Sequence, residues 1–207
     1  VPMYGVTIAF KDFYASKGIM GGPWVGLQHF QRIFRSPDFL PILWNTLILS
    51  LYQLVLTFPL PILLSLLINS SASKRFGKFI QNLTYEPYFI SVVVLVGMMM
   101  IMFSPRGVFN VMLEAIGGTP QLFMGEERYF RHMFVLSAVW QTTGWSSIIY
   151  LAALSGVRPE YHEAAIIDGA SKFKRILYID FPHILPTAVI ILTLNAGKVM
   201  RLGFEKA

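Results

Sequence analysis

One short segment combines acidic and basic residues between two of the most apolar parts of the chain. It reads EYHEAAIIDGASKFKR and covers residues 160–175, with carboxylates at Glu160, Glu163 and Asp168 and a basic end at 172–175. Side chains of these types pair charges and exchange hydrogen bonds with a polar surface. The two alanines after Glu163 leave a low surface where another backbone can approach closely. The segment therefore indicates a surface that another backbone can approach, with an ordinary amphipathic loop as the alternative.

The residue types that catalysis requires are not grouped in this sequence. Cysteine is absent, which excludes a thiol nucleophile, a thiolate metal site and a disulfide framework. None of the motifs HExxH, GxSxG and GxGD occurs. No GxxxxGKS/T phosphate-binding loop occurs either, so we expect no ATP binding by this chain. An intramembrane enzyme is disfavoured because the histidines are scattered, at His29, His132, His162 and His183.

The composition indicates an integral membrane protein. Hydrophobic residues make up 55% of the 207 residues and charged residues only 14%, whereas a soluble domain usually carries about 25% charged residues. The net charge of +6 is explained first by membrane topology and by anionic lipid headgroups. We therefore predict a lipid bilayer as a partner and no nucleic acid.

Four stretches are apolar enough to predict membrane-crossing helices. The first carries no charged residue from Phe39 to Ser73, and a crossing needs only about 20 residues. Pro59 and Pro61 within it remove backbone donors and predict a kink. The second runs from Pro87 to Phe103, the third from Met133 to Val157, and the short fourth from Ile184 to Gly197.

The third stretch differs from the others because amides and hydroxyls lie in its middle. Such groups are costly when they face lipid, so we expect them to face other helices or a wet cavity. They are Gln141, Thr142, Thr143, Ser146 and Ser147. The first three stretches contain no charged residue, which argues against an ion-driven carrier. A non-transporting membrane scaffold remains compatible with the composition.

Three connections join these stretches. Residues 70–85 and 158–183 share one side of the membrane, and residues 104–132 lie on the other. The first pair holds seven Lys and Arg, against seven in residues 104–132 and 11–35 together, so the positive-inside rule does not orient the chain. An amphipathic piece in the second connection, Val108 to Ile116, is expected to lie on the membrane surface.

The charged segment opens with the signals of a helix that ends in a sharp turn. Pro159 suits the first helical position, and we expect Glu160 and Glu163 in the first turn, where they complement the exposed backbone amides. Gly169 stands where a helix end requires a left-handed residue. The pattern predicts a short helix that projects from the membrane and then reverses.

A second helix is predicted directly after this turn. Ser171 can cap its start, and the pattern extends through Ile179. Pro182 and Pro186 then indicate where this helix gives way to the fourth crossing.

The spacing of the segment resembles the EAA signature of binding-protein-dependent ABC importer permeases, EAA-x3-G-x9-I-x-LP. The anchors here are Glu163-Ala164-Ala165, Gly169, Ile179 and Phe181-Pro182, with Phe181 where the family usually has Leu. Three further stretches resemble the branch that imports poly- and oligosaccharides: PMYGVTIAFKDF (2–13), VGLQHFQRIF (25–34) and LNAGKVMRLGFEK (194–206). In the last of these, Lys198 and Arg201 are more basic than expected. The resemblance covers essentially the whole chain.

The resemblance implies an all-α, polytopic type I permease core in a prokaryotic cell membrane. Residues 1–207 would be one transmembrane domain with about five of six helices and truncated ends, since the first ten residues read like the end of a further crossing. Such a permease pairs with a second permease, rests on two ATP-hydrolysing subunits that bind the ATP, and serves an extracytoplasmic solute-binding protein. No cofactor is implied for this chain.

The resemblance also orients the chain and assigns candidate sites. Residues 158–183 would form a cytoplasmic coupling loop that docks in a groove of the ATPase, and residues 104–132 an extracytoplasmic connection. The coupling residues would be Glu163, Ala164, Ala165, Asp168 and Gly169.

Amides, hydroxyls and aromatic faces match the mixed surface of a sugar. Packing between helices and anchoring at the membrane interface is the alternative for each such side chain. Candidate solute contacts are Trp140, Gln141, Thr143, Trp145, Ser146, Tyr150 and Asn195.

Overall fold

All regular elements among the described residues are helices, which confirms the predicted all-α class. The structure, a computed structural model, describes residues 5–19 and 21–197, so Lys198 and Arg201 lie outside it. Two compact units divide the chain, Val1–Thr46 and Leu47–Ala207. Within the described ranges, the extended pairing is an isolated bridge between Lys11 and Trp24.

The helices follow one another with short connections. In chain order they are α1 (Gln28–Arg35), α2 (Phe39–Thr57), α3 (Pro59–Asn69), α4 (Lys74–Tyr85), α5 (Val92–Met102), α6 (Val108–Ala115), α7 (Glu127–Leu154), α8 (Pro159–Ile167), α9 (Lys172–Arg175) and α10 (Phe181–Ala196). Short 3-10 helices cover Val6–Phe10, Ala15–Lys17 and Glu86–Phe89, and a π-helix covers Ile176–Asp180.

In the first unit, the start of the described chain is held to α1. The Nε2 of His29 lies 3.1 Å from the backbone carbonyl oxygen of Lys11, and the rings of Phe10 and Phe30 are 5.4 Å apart. The ammonium of Lys11 lies 4.7 Å from the centre of the Trp24 ring. These contacts hold Phe10 and Lys11 against Trp24 and the first turn of α1.

The first predicted crossing is present, and its proline kink is confirmed as a helix break. The apolar span runs from Phe39 to Asn69 over 31 residues. The helix is interrupted at Phe58, immediately before Pro59 takes the first position of α3. Proline is tolerated there because the N–H it lacks would have no intrahelical partner.

The second predicted crossing, Pro87 to Phe103, is wrong as a single helix. Its first residues belong to the 3-10 helix at the end of α4, and α5 begins only at Val92. The two parts meet at an angle of 97°. A new helix begins after Ser91, because its hydroxyl caps α5 by accepting a hydrogen bond from the backbone N–H of Val94 at 3.3 Å.

Residues 70–85, predicted as a connection, instead form helix α4 over Lys74–Tyr85. One face of this helix packs against α7. Gly144 makes the approach possible, because a Cβ there would lie 1.9 Å from the backbone oxygen of Thr84. The backbones of α4 and α7 are therefore in direct contact.

Helix α7 covers most of the third predicted crossing and starts six residues earlier, at Glu127. Its 28 residues span about 42 Å, enough to cross a hydrocarbon layer of about 30 Å. By length and composition, the described residues contain two membrane-spanning helices, or three if the bent pair is counted as one span. The polar residues of α7 keep it outside that group.

The buried core lies where α3, α7 and α10 meet. Small and branched side chains from the three helices surround the fully buried rings and methyl groups of Tyr150 and Ile184. The cluster consists of Ile62, Leu66, Tyr150, Leu154, Ile184 and Ala188. Because α7 sits between the two apolar spans, its position sets the position of both.

The last crossing is longer than predicted. One continuous span runs from Lys172 to Ala196, so the expected helix boundary at Pro182 and Pro186 is wrong. A π turn over Ile176–Asp180 accommodates the first proline: the N–H of Phe181 donates to the carbonyl of Ile176, five residues back. A shift from α to π pairing is a known way for a helix to absorb an irregular residue.

The predicted amphipathic piece of the second connection is confirmed as a helix, α6. Asn110, buried within it, ties the connection together. Its Nδ2 donates to the carbonyls of Ser104 at 3.0 Å and Gln121 at 2.9 Å, and its Oδ1 accepts from the N–H of Gln121 at 2.8 Å. The connection is therefore closed into a loop by one amide side chain.

Candidate functional site

The predicted helix at the start of the charged segment is confirmed as α8. Pro159 takes its first position after Arg158, and Glu160 lies in the first turn. The Nε of Arg158 lies 3.4 Å from the carboxylate of Glu160. Glu163 lies one turn further on, so its expected place in the first turn is wrong. Glu163 therefore does not lie beside the exposed backbone N–H groups at the start of α8.

The sharp turn after α8 forms as predicted. Gly169 has φ +73°, a conformation that other residues rarely adopt. Its N–H donates to the carbonyl of Ile166 at 3.0 Å, and the N–H of Ala170 donates to Ala165 at 2.8 Å. These two bonds define a Schellman motif, which satisfies the last carbonyls of α8. Ser171 then caps α9 by accepting from the N–H of Lys174.

The signature residues face outward from this turn. Glu163, Ala164, Asp168 and Gly169 are exposed, and Ala165 is half-buried. Large apolar side chains lie exposed beside them, most of all Ile167, which is 86% exposed. The others are Tyr161, Ile166 and Phe173. An acidic group within an uncovered apolar surface is typical of a site that another protein covers.

A partly buried hydrogen bond between two side chains lies beneath this surface, and the sequence analysis does not predict it. The Nε2 of His162 lies 3.1 Å from the Oδ1 of Asp180, which is only 2% exposed. His162 belongs to α8, and Asp180 to the π turn of the last span. The one available sequence signal was an acid between two apolar anchors of the motif, Ile179 and Phe181.

Clefts flank α8 on both sides. One, of about 860 Å³, is lined by His162 and Glu163 of α8 and by Lys172, Arg175 and Asp180 of the last span. The other, of about 470 Å³, is lined by Ala164, Ala165 and Asp168 together with Ile179 and Pro182. Packing therefore holds α8 against the last span along a narrow strip only.

Two candidate solute contacts line one cavity. Trp140 and Thr143 border a space of about 1030 Å³ between α3, α4 and α7. Leucines of α3 form much of its wall, and the carboxylate-bearing residue Glu86 also lines it. Sequence reasoning missed Glu86 because it lies just outside the charge-free second stretch. Trp140 also borders a second, methionine-rich cavity of about 610 Å³.

Other candidates make contacts within the chain. Gln141 is buried, and its Nε2 donates to the carbonyl of Ile90 at 2.7 Å, where the chain bends between α4 and α5. The hydroxyl of Thr143 donates to Val139 in its own helix at 2.6 Å. Tyr150 lies in the core. Gln141 and Tyr150 thus make packing contacts within the chain, and their role as solute contacts stays a prediction.

The remaining candidates are dispersed. Trp145 stacks on Tyr88, with ring centres 4.6 Å apart, and so fastens the 3-10 helix to α7. Ser146 and Asn195 are half-buried. The structure brings Trp140 and Thr143 together in one cavity and leaves these three residues outside its wall.

The comparison with known families decides the classification. A family model described as binding-protein-dependent transport system inner membrane component matches residues 58–202. The chain belongs to this family. Its membrane-spanning helices agree with this family of inner membrane components, and the matched region contains the core, α8 and the turn at Gly169.

Named relatives of this chain are described as permease proteins of saccharide transport systems. It is 41% identical over 206 residues to the polygalacturonan/rhamnogalacturonan transport system permease protein YteP of Bacillus subtilis (strain 168), covering 99% of this chain and 64% of YteP. It is 32% identical to the arabinooligosaccharides transport system permease protein AraP of the same organism, covering 88% and 58%. The chain thus spans less than two thirds of the length of these two relatives.

A solved structure has the same fold. A bacterial ABC transporter involved in the import of the acidic polysaccharide alginate matches with a TM-score of 0.90 and 38% identity, covering 99% of this chain and 68% of that one. A second structure shows such a transporter in complex with an alginate pentasaccharide-bound periplasmic protein, with a TM-score of 0.89 and 37% identity.

Proposed function

We propose that this permease is the membrane subunit of an ATP-driven importer for oligosaccharides. One observation carries the proposal: the EAA residues stand exposed on a helix that ends in a left-handed turn at Gly169 and leads directly into a membrane span. A helix placed in this way can pass the movement of a docked protein to the crossings. Sugar-transporting relatives support the solute class.

The partners follow from the exposed surface. An ATPase subunit would cover Ile167 and its apolar neighbours, with Glu163 paired to a polar group in the ATPase groove. Nucleotide would be bound by that subunit, so this chain would need no cofactor and catalyse no reaction itself. A second permease and a solute-binding protein would complete the importer, as the binding-protein complex of a related transporter supports.

Charge reversal at Glu163 is expected to release the ATPase. We expect Glu163→Lys in the full-length permease, co-expressed with its ATPase and second permease, to lower co-purification of the ATPase by more than about tenfold. The reason is that a buried interfacial acid would become a base beside its former partner, a loss of roughly 2–5 kcal/mol. Affinity purification in mild detergent with quantitation of the ATPase subunit measures this.

Glu160→Lys is the matched control. Glu160 is an acid on the same helix, but it pairs with Arg158 and lies outside the signature. The control should retain the ATPase. Equal retention by both variants would contradict docking through Glu163, and equal loss would show that general charge, rather than the signature position, holds the ATPase.

The solute would pass along the cavity that Trp140 and Thr143 line. The indole of Trp140 can pack on the apolar face of a sugar ring, while Thr143 and Glu86 can accept hydrogen bonds from its hydroxyls. This assignment favours oligosaccharides, and both acidic and neutral chains are candidates because the relatives include importers of each kind.

Removal of the Trp140 ring should weaken solute handling. We expect Trp140→Ala to raise the KM for oligosaccharide uptake about 3- to 10-fold, since an aromatic contact contributes roughly 0.5–1.5 kcal/mol beyond burial. Uptake of galacturonate, alginate and arabinose oligosaccharides by proteoliposomes of the complete transporter measures it. Trp44→Ala, at an exposed ring on α2, should leave KM unchanged. An unchanged KM for Trp140→Ala on every transported sugar would remove this cavity from the path.

A further inference from the structure

The pair formed by His162 and Asp180 joins two elements that the chain also connects directly. Helix α8 is linked to the last span by residues 168–171, a short connection that turns at Gly169. His162 lies seven residues before that glycine, and Asp180 lies eleven residues after it. Helix α8 is thus attached to the span at two separate points, one covalent and one polar.

The polar attachment is a single hydrogen bond between the side chains of His162 and Asp180. Among the described residues from 158 to 197, it is the one side-chain hydrogen bond between α8 and the last span. Clefts of about 860 and 470 Å³ separate the two elements on either side of it. A rotation of α8 about Gly169 must therefore either break this contact or carry Asp180 with it.

Burial makes breaking the contact unfavourable. The Asp180 side chain is 3% exposed, against 27% for His162. A carboxyl group with so little exposed surface is unfavourable without a hydrogen-bonding partner. Several basic residues line the neighbouring cleft, but His162 is the group within hydrogen-bonding distance.

The position of Asp180 within the span gives the contact its consequence. Asp180 is the last residue of the π turn, where the backbone changes from five-residue to four-residue pairing. π turns are less regular than the helix around them and occur often at functional sites. A pull on Asp180 therefore acts on the least regular point of the last span.

We propose that His162 and Asp180 are positioning residues that transmit movement of α8 to the last membrane span. The inference rests on the proposed importer function and goes beyond it, because it assigns the transmission to a contact outside the EAA residues. While the hydrogen bond holds, α8 and the part of the last span that precedes α10 move together as one rigid body. Without it, α8 can follow the ATPase while the span remains behind.

The test compares transport with ATP hydrolysis in proteoliposomes of the complete transporter. We expect His162→Phe, which keeps a ring of similar size, to retain the ATPase subunit but to lower the solute transported per ATP about fivefold or more, within the usual range of coupling between sites. Asp180→Asn keeps an acceptor oxygen for His162 and should retain most of the coupling. Tyr178→Phe, an exposed residue of the same π turn, serves as the control and should match the unaltered protein.

A double variant separates transmission from simple stability. In His162→Phe with Asp180→Leu, no buried carboxylate is left without a partner, so the melting temperature should recover relative to His162→Phe alone. A recovered melting temperature with transport per ATP still low would support the proposal. Recovery of both would show that the pair is only structural and would overturn it, as would an unchanged ratio in His162→Phe. An unaltered transporter that neither binds the ATPase nor moves oligosaccharide would instead refute the proposed function.

Discussion

Substitution of Gly169 by valine is expected to reduce oligosaccharide uptake by about tenfold or more. Gly169 holds φ +73° between α8 and the last span, and a β-branched residue is strained there by roughly 1–3 kcal/mol. A strain of 1.4 kcal/mol already corresponds to a tenfold change in an equilibrium. The turn would relax and α8 would leave the position in which we propose that its signature residues meet the ATPase. ATP-dependent uptake in proteoliposomes measures the effect.

Gly117→Val is the control for backbone strain itself. Gly117 has φ +83° and, like Gly169, open space where a side chain would go, but it lies in the connection predicted to be outside the membrane. Both variants should lose similar thermal stability, and uptake should fall only for Gly169→Val. Normal uptake by Gly169→Val would show that the turn is not needed for coupling.

The largest loss of stability is expected for Gly144→Ala. A Cβ at this position would lie 1.9 Å from the backbone oxygen of Thr84 and 2.4 Å from its carbonyl carbon, so α4 and α7 must separate. Overpacking usually costs about 1–3 kcal/mol and occasionally more, and a backbone clash belongs at the upper end. We expect a drop of several degrees or more in melting temperature, with poor recovery of folded protein in fluorescence-detected gel filtration.

Gly97→Ala provides the matched comparison. Gly97 lies within α5, and nothing lies within 4 Å of the added methyl group. Because alanine is favoured over glycine in helices by about 1 kcal/mol, this variant should be at least as stable as the parent. Equal melting temperatures for the two alanine variants would contradict direct backbone packing between α4 and α7.

Local signals in the sequence predicted the helix, turn and cap of residues 159–171 well. Pro159 acts through its own restricted backbone, and Gly169 and Ser171 act through hydrogen bonds to residues three positions away, so their types and spacing contain the necessary information. The break before Pro59 is local for the same reason. Proline and glycine restrict or release the backbone wherever they occur, independently of what packs around them.

Contacts between distant residues account for what was not predicted. The bend before α5 is held by Gln141, whose hydrogen bond reaches 51 positions back to Ile90. The sequence predicts a connection where helix α4 forms, because the packing of α4 on α7 depends on the close approach of Gly144 to Thr84, 60 positions apart in the chain. Pro182 and Pro186 predict a helix boundary that does not form, since no local sequence rule predicts the π turn that accommodates Pro182.

The candidate solute residues show the same division. Residue type alone grouped Trp140, Gln141 and Tyr150 as polar or aromatic side chains of one helix. Their burial differs because each faces a different neighbour around α7: a cavity, a chain bend and the core. Helical periodicity cannot distinguish these neighbours unless the packing of the other helices is known.

The π turn also determines the rotational phase between the two ends of the last span. A π turn contains one residue more than the α turn it replaces, and each helical residue advances the chain by about 100° and 1.5 Å. Loss of one residue from Ile176–Asp180 would leave every helix intact but rotate α8 and its signature face by that angle relative to α10. The length of this turn, in addition to any side chain, therefore sets how the exposed face of α8 is rotated about the span relative to Asn195 of α10.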